Sequence, residues 1–123
     1  MKYVLLAAAI LLGHHSTTAE FDVAHRMTLS GTLTKVDWVN PHIVVFIDAK
    51  NSADGSGAWK FESNPPAWFR RVGVSRADFA KAIGQTVTVE GNRAKDGSQY
   101  GYLLKITYAG GNSLELVVPG GDR

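Results

Sequence analysis

Residues 27–49 read MTLSGTLTKVDWVNPHIVVFIDA, two strand-like runs joined at the corner Asn40-Pro41-His42. In the first run Leu29, Gly31 and Leu33 share one parity, whereas Val36 and Trp38 share the other. Successive residues of a strand point to opposite faces, so a change of phase near Thr34-Lys35 predicts one extra residue there, a β-bulge. Gly31 eases sharp coiling of the same strand. A long, bent first strand is what a small closed or half-closed barrel needs. Proline has no N–H for a ladder and holds the residue before it extended, so Asn40-Pro41 ends the run. His42 to Ala49 is then almost continuously apolar, which predicts a strand covered on both faces.

The rest of the chain supplies partners for this pair. Lys50–Gly57 is a hairpin loop with Asp54-Gly55 as its tightest turn signal. Trp59-Lys60-Phe61-Glu62 alternates aromatic inward and charged outward as a third strand, stopped by Asn64-Pro65-Pro66. Ala67–Arg71 reads as one helical turn released at Gly73. A better helix follows: Ser75-Arg-Ala-Asp78 is a capping box, Phe79, Ala82 and Ile83 share a face, and Gly84 closes it. Thr86–Glu90, Tyr102–Tyr108 and Ser113–Val118 are three further strands, and residues 119–123 are a frayed tail. The expectation is an all-β domain with one short helix. Its layout, with the helix between the third and fourth strands, is that of a small OB-like barrel of five to six strands. An open six-stranded sheet and a small sandwich are the rival arrangements.

Length and composition fit this picture. The 123 residues, 45% apolar and 20% charged, suit one small domain, placed at residues 27–118. Met1-Lys2 precedes ten apolar residues, Tyr3–Leu12, and then Gly13, the pattern of a secretory signal peptide over residues 1–13. The run is shorter than the roughly 20 residues that a membrane-spanning helix needs. A cut after Gly13 leaves His14 as the first residue, whereas a cut after Ala19 removes His14 and His15. The predicted localisation is therefore periplasmic or secreted, with residues 14–26 as an N-terminal segment. The formal charge of +2 falls to about +1 once Lys2 is removed, too little to attract a polyanion, so nucleic acid is not an expected partner. The absence of cysteine excludes a disulfide framework, a thiolate zinc site and a cysteine nucleophile.

His14-His15-Ser16, Phe21-Asp22, Trp38-Val-Asn-Pro-His42 and Arg93-Ala-Lys-Asp-Gly-Ser98, in that order, resemble a bacterial family of small exported proteins, domain of unknown function 6152. The resemblance covers essentially the whole mature chain. It implies secretion, a mature terminus at or near His14 and a compact β domain, and it implies no activity.

All four histidines, His14, His15, His25 and His42, fall in the first half of the chain. Neutral imidazole is the commonest transition-metal ligand near neutral pH. A mature His14 offers an α-amine and a ring to one ion, His15 adds a second ring, and His42 at its strand corner is a third donor. Nitrogen-rich donors of this kind favour copper(II), then nickel or zinc. His25 and Asp22 are secondary candidates, with Glu20 as a further acceptor. The competing reading makes His14-His15 a solvated tail and has His42 bond its own turn. Trp68, Phe69, Arg70 and Arg71 form a candidate contact patch for an envelope protein. No serine sits in a Gly-x-Ser-x-Gly elbow and no glycine loop cradles a phosphate, so the sequence carries no signature of an enzyme.

Overall fold

A computed structural model describes residues 20–117. Strand β1, Phe21–Asp37, is 17 residues long and pairs on both sides. Its C-terminal half runs antiparallel to β2 (Val44–Ala49), from Gly31 opposite Ala49 to Asp37 opposite Val44, and the register slips between Leu33 and Lys35. That slip is the bulge which the change of parity predicts. The N-terminal half of β1 pairs with β4 (Thr86–Ala94). Strand β3 (Gly57–Glu62) follows β2 as an antiparallel hairpin, and β5 (Tyr100–Thr107) lies between β4 and the short β6 (Ser113–Glu115). Lys60 to Glu62 of β3 then pair in parallel with Tyr100 to Tyr102 of β5. This seam closes a barrel-like ring in the order β1-β2-β3-β5-β4, the connectivity expected of an OB-like domain.

Two short helices, rather than one, connect β3 to β4: α1, Pro66–Arg71, and α2, Arg76–Ala82. Proline at the first turn starts α1 without loss, because that N–H has no helical partner anyway. In α2 the Ser75 side chain accepts from the Asp78 N–H while Asp78 accepts from the Ser75 N–H, so both halves of the capping box form. Gly84, at φ +90°, turns the chain out of α2 in a conformation that L side chains resist. Ile83 sits at the end of that helix and is exposed, not on the buried face with Phe79 and Ala82.

The ring is filled by Leu29, Leu33, Val45, Ile47, Trp59, Phe61, Val89, Leu103 and Ile106, and α1 and α2 plug one end with Phe69 and Phe79, ring centroids 5.5 Å apart. Each such side chain contributes about 1.5–3 kcal/mol through burial. The close wall at Gly31 depends on its missing side chain, since a Cβ there would lie 2.1 Å from the Asp48 carbonyl oxygen. Strand β2 is buried on one face only: Val45, Ile47 and Ala49 are inside, while Val44, Phe46 and Asp48 are half-buried outside. The apolar run predicts cover on both sides, but among the described residues the outer face of β2 stays half-buried. β1 begins six residues before Met27 because Phe21 has its own anchor, a second cluster with Ala94 and Tyr102, flanked by Tyr100 and Leu104.

Candidate functional site

The site grows from two polar residues that the fold buries. Ser63 and Asn64, directly after β3, are fully buried, and buried polar groups need partners. The Ser63 N–H and hydroxyl both donate to the Ile43 carbonyl at 2.8 Å, and the Ile43 N–H donates to the Asn64 carbonyl at 3.1 Å. The Asn64 side chain accepts from the Tyr102 hydroxyl at 2.6 Å and donates to the Val117 carbonyl at 2.9 Å. This lattice fixes the segment after β3 against the corner that precedes β2.

The Ser63 carbonyl is thereby aimed at His42, whose Nδ1 lies 2.6 Å away. A carbonyl only accepts, so Nδ1 carries the hydrogen and, in the neutral ring, Nε2 carries the lone pair. Nε2 faces Glu62 Oε2 at 3.6 Å, too far for a hydrogen bond. The other Glu62 oxygen accepts from the Tyr100 hydroxyl. Burial raises the pKa of that phenol, and the bond to Glu62 and its charge raise it further, so Tyr100 stays a donor. Tyr102 is raised as well, by burial first and then by the Glu62 charge. Its ring meets the His42 ring edge-on at 6.3 Å. The side chains of His42 and Glu62 are 32% and 21% exposed, which leaves the gap between them open to solvent.

Phe21 packs on the same tyrosines, with ring centroids 5.0 Å from Tyr100 and 5.6 Å from Tyr102. Glu20 is anchored by the Lys95 N–H at 2.9 Å, and its charge also acts on Tyr100. The chain therefore starts its first strand beside the His42–Glu62 gap. His14 and His15 lie outside the described residues. His15 precedes Phe21 by six residues, a reach of about 20 Å for extended chain.

The secondary candidates go elsewhere. Asp22 accepts from the Ala24 N–H at 3.0 Å, and His25 Nε2 lies 3.1 Å from Asp54 Oδ1 in the β2–β3 loop. That loop leaves one end of β2 while His42 precedes the other, and a strand of six residues spans about 20 Å. Asp54 belongs instead to a clamp built by Arg93, which donates to the carbonyls of Asp54 at 3.0 Å, Gly97 at 2.7 Å and Ser98 at 3.3 Å. Its guanidinium also lies over the Trp59 ring at 5.1 Å. Among the described residues no three His, Asp or Glu side chains converge as a metal group.

Of the expected contact patch, Phe69 is a core residue with no exposed surface, because α1 turns it against Phe79 and Trp38. Trp68 is half-buried with its ring edge-on to Phe69 at 5.0 Å, and Arg70 and Arg71 are exposed. No helix among the described residues is long and apolar enough to cross a membrane.

Residues 3–103 match the model of a family described only as a family of unknown function, DUF6152, and the chain belongs to that family. Comparison with curated proteins and with solved structures gives no match.

Sequence reasoning finds His42 but misses Glu62, Tyr100 and Ser63-Asn64. The alternation of Trp59 to Glu62 does place Glu62 on the outer face, as expected, with Trp59 and Phe61 buried. Its nearness to His42 follows from the β2–β3 register, in which Val44 pairs with Glu62. A hairpin pattern carries that signal. The parallel seam that delivers Tyr100 leaves no local trace.

Proposed function

We propose that this protein is an exported, periplasmic binding module for a divalent transition metal, copper(II) ahead of nickel or zinc. The α-amine and ring of a mature His14 and the ring of His15 form the outer chelate, and His42 supplies a third, internal donor. One observation carries the reading: β1 starts at Phe21 against Tyr102, whose ring also meets His42, and the Nε2 of His42 lies at the part-exposed gap beside Glu62. The span from His15 to Phe21 is long enough for the two histidines to reach that ring. The hydrogen bond from Nδ1 to the Ser63 carbonyl is the kind of outer contact that orients a ligating histidine. Multiple nitrogen donors at borderline hardness favour copper(II) in the Irving–Williams order.

A second reading, contact with an acidic envelope partner through Arg70, Arg71 and the rim of Trp68, is favoured by the exposure of both arginines on α1. A copper(II) titration separates the two. The exported protein should bind one ion, and a version with one added residue before His14 should bind far more weakly. Equal binding by both would remove the chelate.

A further inference from the structure

We propose that the outer face of β2 and β3 binds an acidic saccharide, in a groove walled on one side by the β4–β5 loop. The inference is independent of any bound metal. One row of side chains crosses four strands on this face: Lys35 of β1 pairs with Phe46 of β2, Phe46 with Lys60 of β3, and Lys60 with Tyr100 of β5. Neighbouring strands lie about 4.8 Å apart, so the row spans about 14 Å and alternates cation with aromatic ring. Lys35 Nζ lies 5.1 Å from the centre of the Phe46 ring, and Lys60 Nζ lies 4.6 Å from that of Tyr100. Lys35 is also paired with Asp37 at 3.4 Å, whereas Lys60 forms no ion pair among the described residues. Beside the row is a groove of about 480 Å³, lined by Phe46, Ala58, Lys60 and Tyr100 and, from the loop, by Asp96 and Ser98. Its size is that of a small-molecule site.

The loop wall is tied down before any ligand arrives. Arg93 holds the carbonyls of Gly97 and Ser98, and the Gln99 side chain donates to those of Ser56 at 3.3 Å and Ala58 at 2.8 Å. The Ser98 hydroxyl and N–H both donate to Asp96 Oδ1, at 2.6 Å and 2.9 Å, and these bonds hold the exposed Asp96 carboxyl below the usual carboxylate range. The groove therefore offers flat apolar rings, an ionised acceptor and one ammonium without a carboxylate partner. Phe46 and Tyr100 suit the C–H faces of a sugar ring, because the face of an aromatic ring carries partial negative charge. Asp96 Oδ2 and the Ser98 hydroxyl accept from sugar hydroxyls. Lys60 takes the sugar carboxylate in a charge-assisted bond and gives up only a weak, exposed contact with Tyr100. A phosphate backbone would be repelled by Asp96, and a simple aromatic acid would bring no hydroxyl donor to it.

The test is an amide NMR titration of the full chain, produced in a bacterial export host, with a chelator present so that metal plays no part. The probes are trigalacturonate, its methyl-esterified neutral counterpart and benzoate. The wild type is compared with Lys60→Gln, Lys60→Arg and Phe46→Ala, and far-ultraviolet circular dichroism checks each fold. Trigalacturonate should shift the amide resonances of Phe46, Lys60, Ser98 and Tyr100 saturably. Lys60→Gln should lose about tenfold in affinity for it and Lys60→Arg should restore most of that, since the lost bond is charge-assisted. Phe46→Ala should weaken the acid and the ester alike. The absence of shifts at these amides overturns the proposal, as does binding that Lys60→Gln leaves unchanged. Equal affinity for acid and ester would overturn the acidic class, and binding of benzoate alone would overturn the saccharide.

Discussion

The hydrogen bond between Tyr102 and Asn64 offers the sharpest test of how the site is supported. Replacing Asn64 with alanine strips two bonds at once, from the Tyr102 hydroxyl at 2.6 Å and to the Val117 carbonyl at 2.9 Å. Both Asn64 and Tyr102 are essentially without exposed surface, so water cannot take over on the tyrosine. Each polar group stranded in this way costs about 1–3 kcal/mol, which puts Asn64→Ala at about 2–5 kcal/mol. Tyr102→Phe strands only the Asn64 oxygen and should cost about 1–3 kcal/mol. In the double variant the hydroxyl no longer needs a partner, so the second change adds little to the first. The predicted coupling is therefore at least about 1 kcal/mol. Urea unfolding followed by tryptophan fluorescence measures all three. With a slope of roughly 1–2 kcal/mol per molar for a small domain, Asn64→Ala should lower the midpoint by about 1–5 M. Additivity within about 0.5 kcal/mol would mean that the two side chains are not bonded and that the lattice behind His42 is drawn wrongly.

Gly31→Ala places a Cβ 2.1 Å from the Asp48 carbonyl oxygen and against the backbone of Asp48 and Ala49, so no flexible side chain can give way. A loss of about 1–3 kcal/mol is expected, read by calorimetry as a fall in Tm of about 5–20 °C, and an unchanged Tm would contradict the close approach of β1 and β2. Arg93→Lys removes the planar fork that serves three carbonyls of two loops. Amide exchange should accelerate in the β2–β3 and β4–β5 loops together, and acceleration in one loop alone would refute the clamp. At high pH, burial and then the Asp78 charge push Tyr108 up to about 12, and Tyr100 and Tyr102 are raised as well. The unfolded chain then loses its phenolic protons first, so stability holds up to about pH 10 and falls as the pH rises from there. Tyrosinate absorbance should appear together with loss of the circular dichroism signal. Ionisation of all the tyrosines near their ordinary pKa in an intact fold would contradict this.

The parts legible in the sequence are those with local causes. A change of parity between Leu33 and Val36 betrays the bulge because strand alternation is a two-residue rule. Ser75 and Asp78 announce the start of α2 because a capping box closes within four residues. Phe69 looks like a surface residue in the sequence because α1, at six residues, is too short for periodicity to reveal its inward face. The early start of β1 was hidden for a different reason: Phe21 is held by Ala94, Tyr100 and Tyr102, all from the far half of the chain. The candidate site divides in the same way. His42 stands out at a proline corner, whereas the link from Glu62 to Tyr100 depends on a parallel seam between strands distant in sequence.

The proposal that a mature chain beginning at His14 holds a metal ion is tested directly by native mass spectrometry of the protein recovered from a bacterial export host. One spectrum, taken with equimolar copper(II), reads both the first residue and the number of ions bound. The account predicts a chain beginning at His14 with one copper ion retained. A chain that begins beyond His15, or one that begins at His14 and stays metal-free, would contradict it.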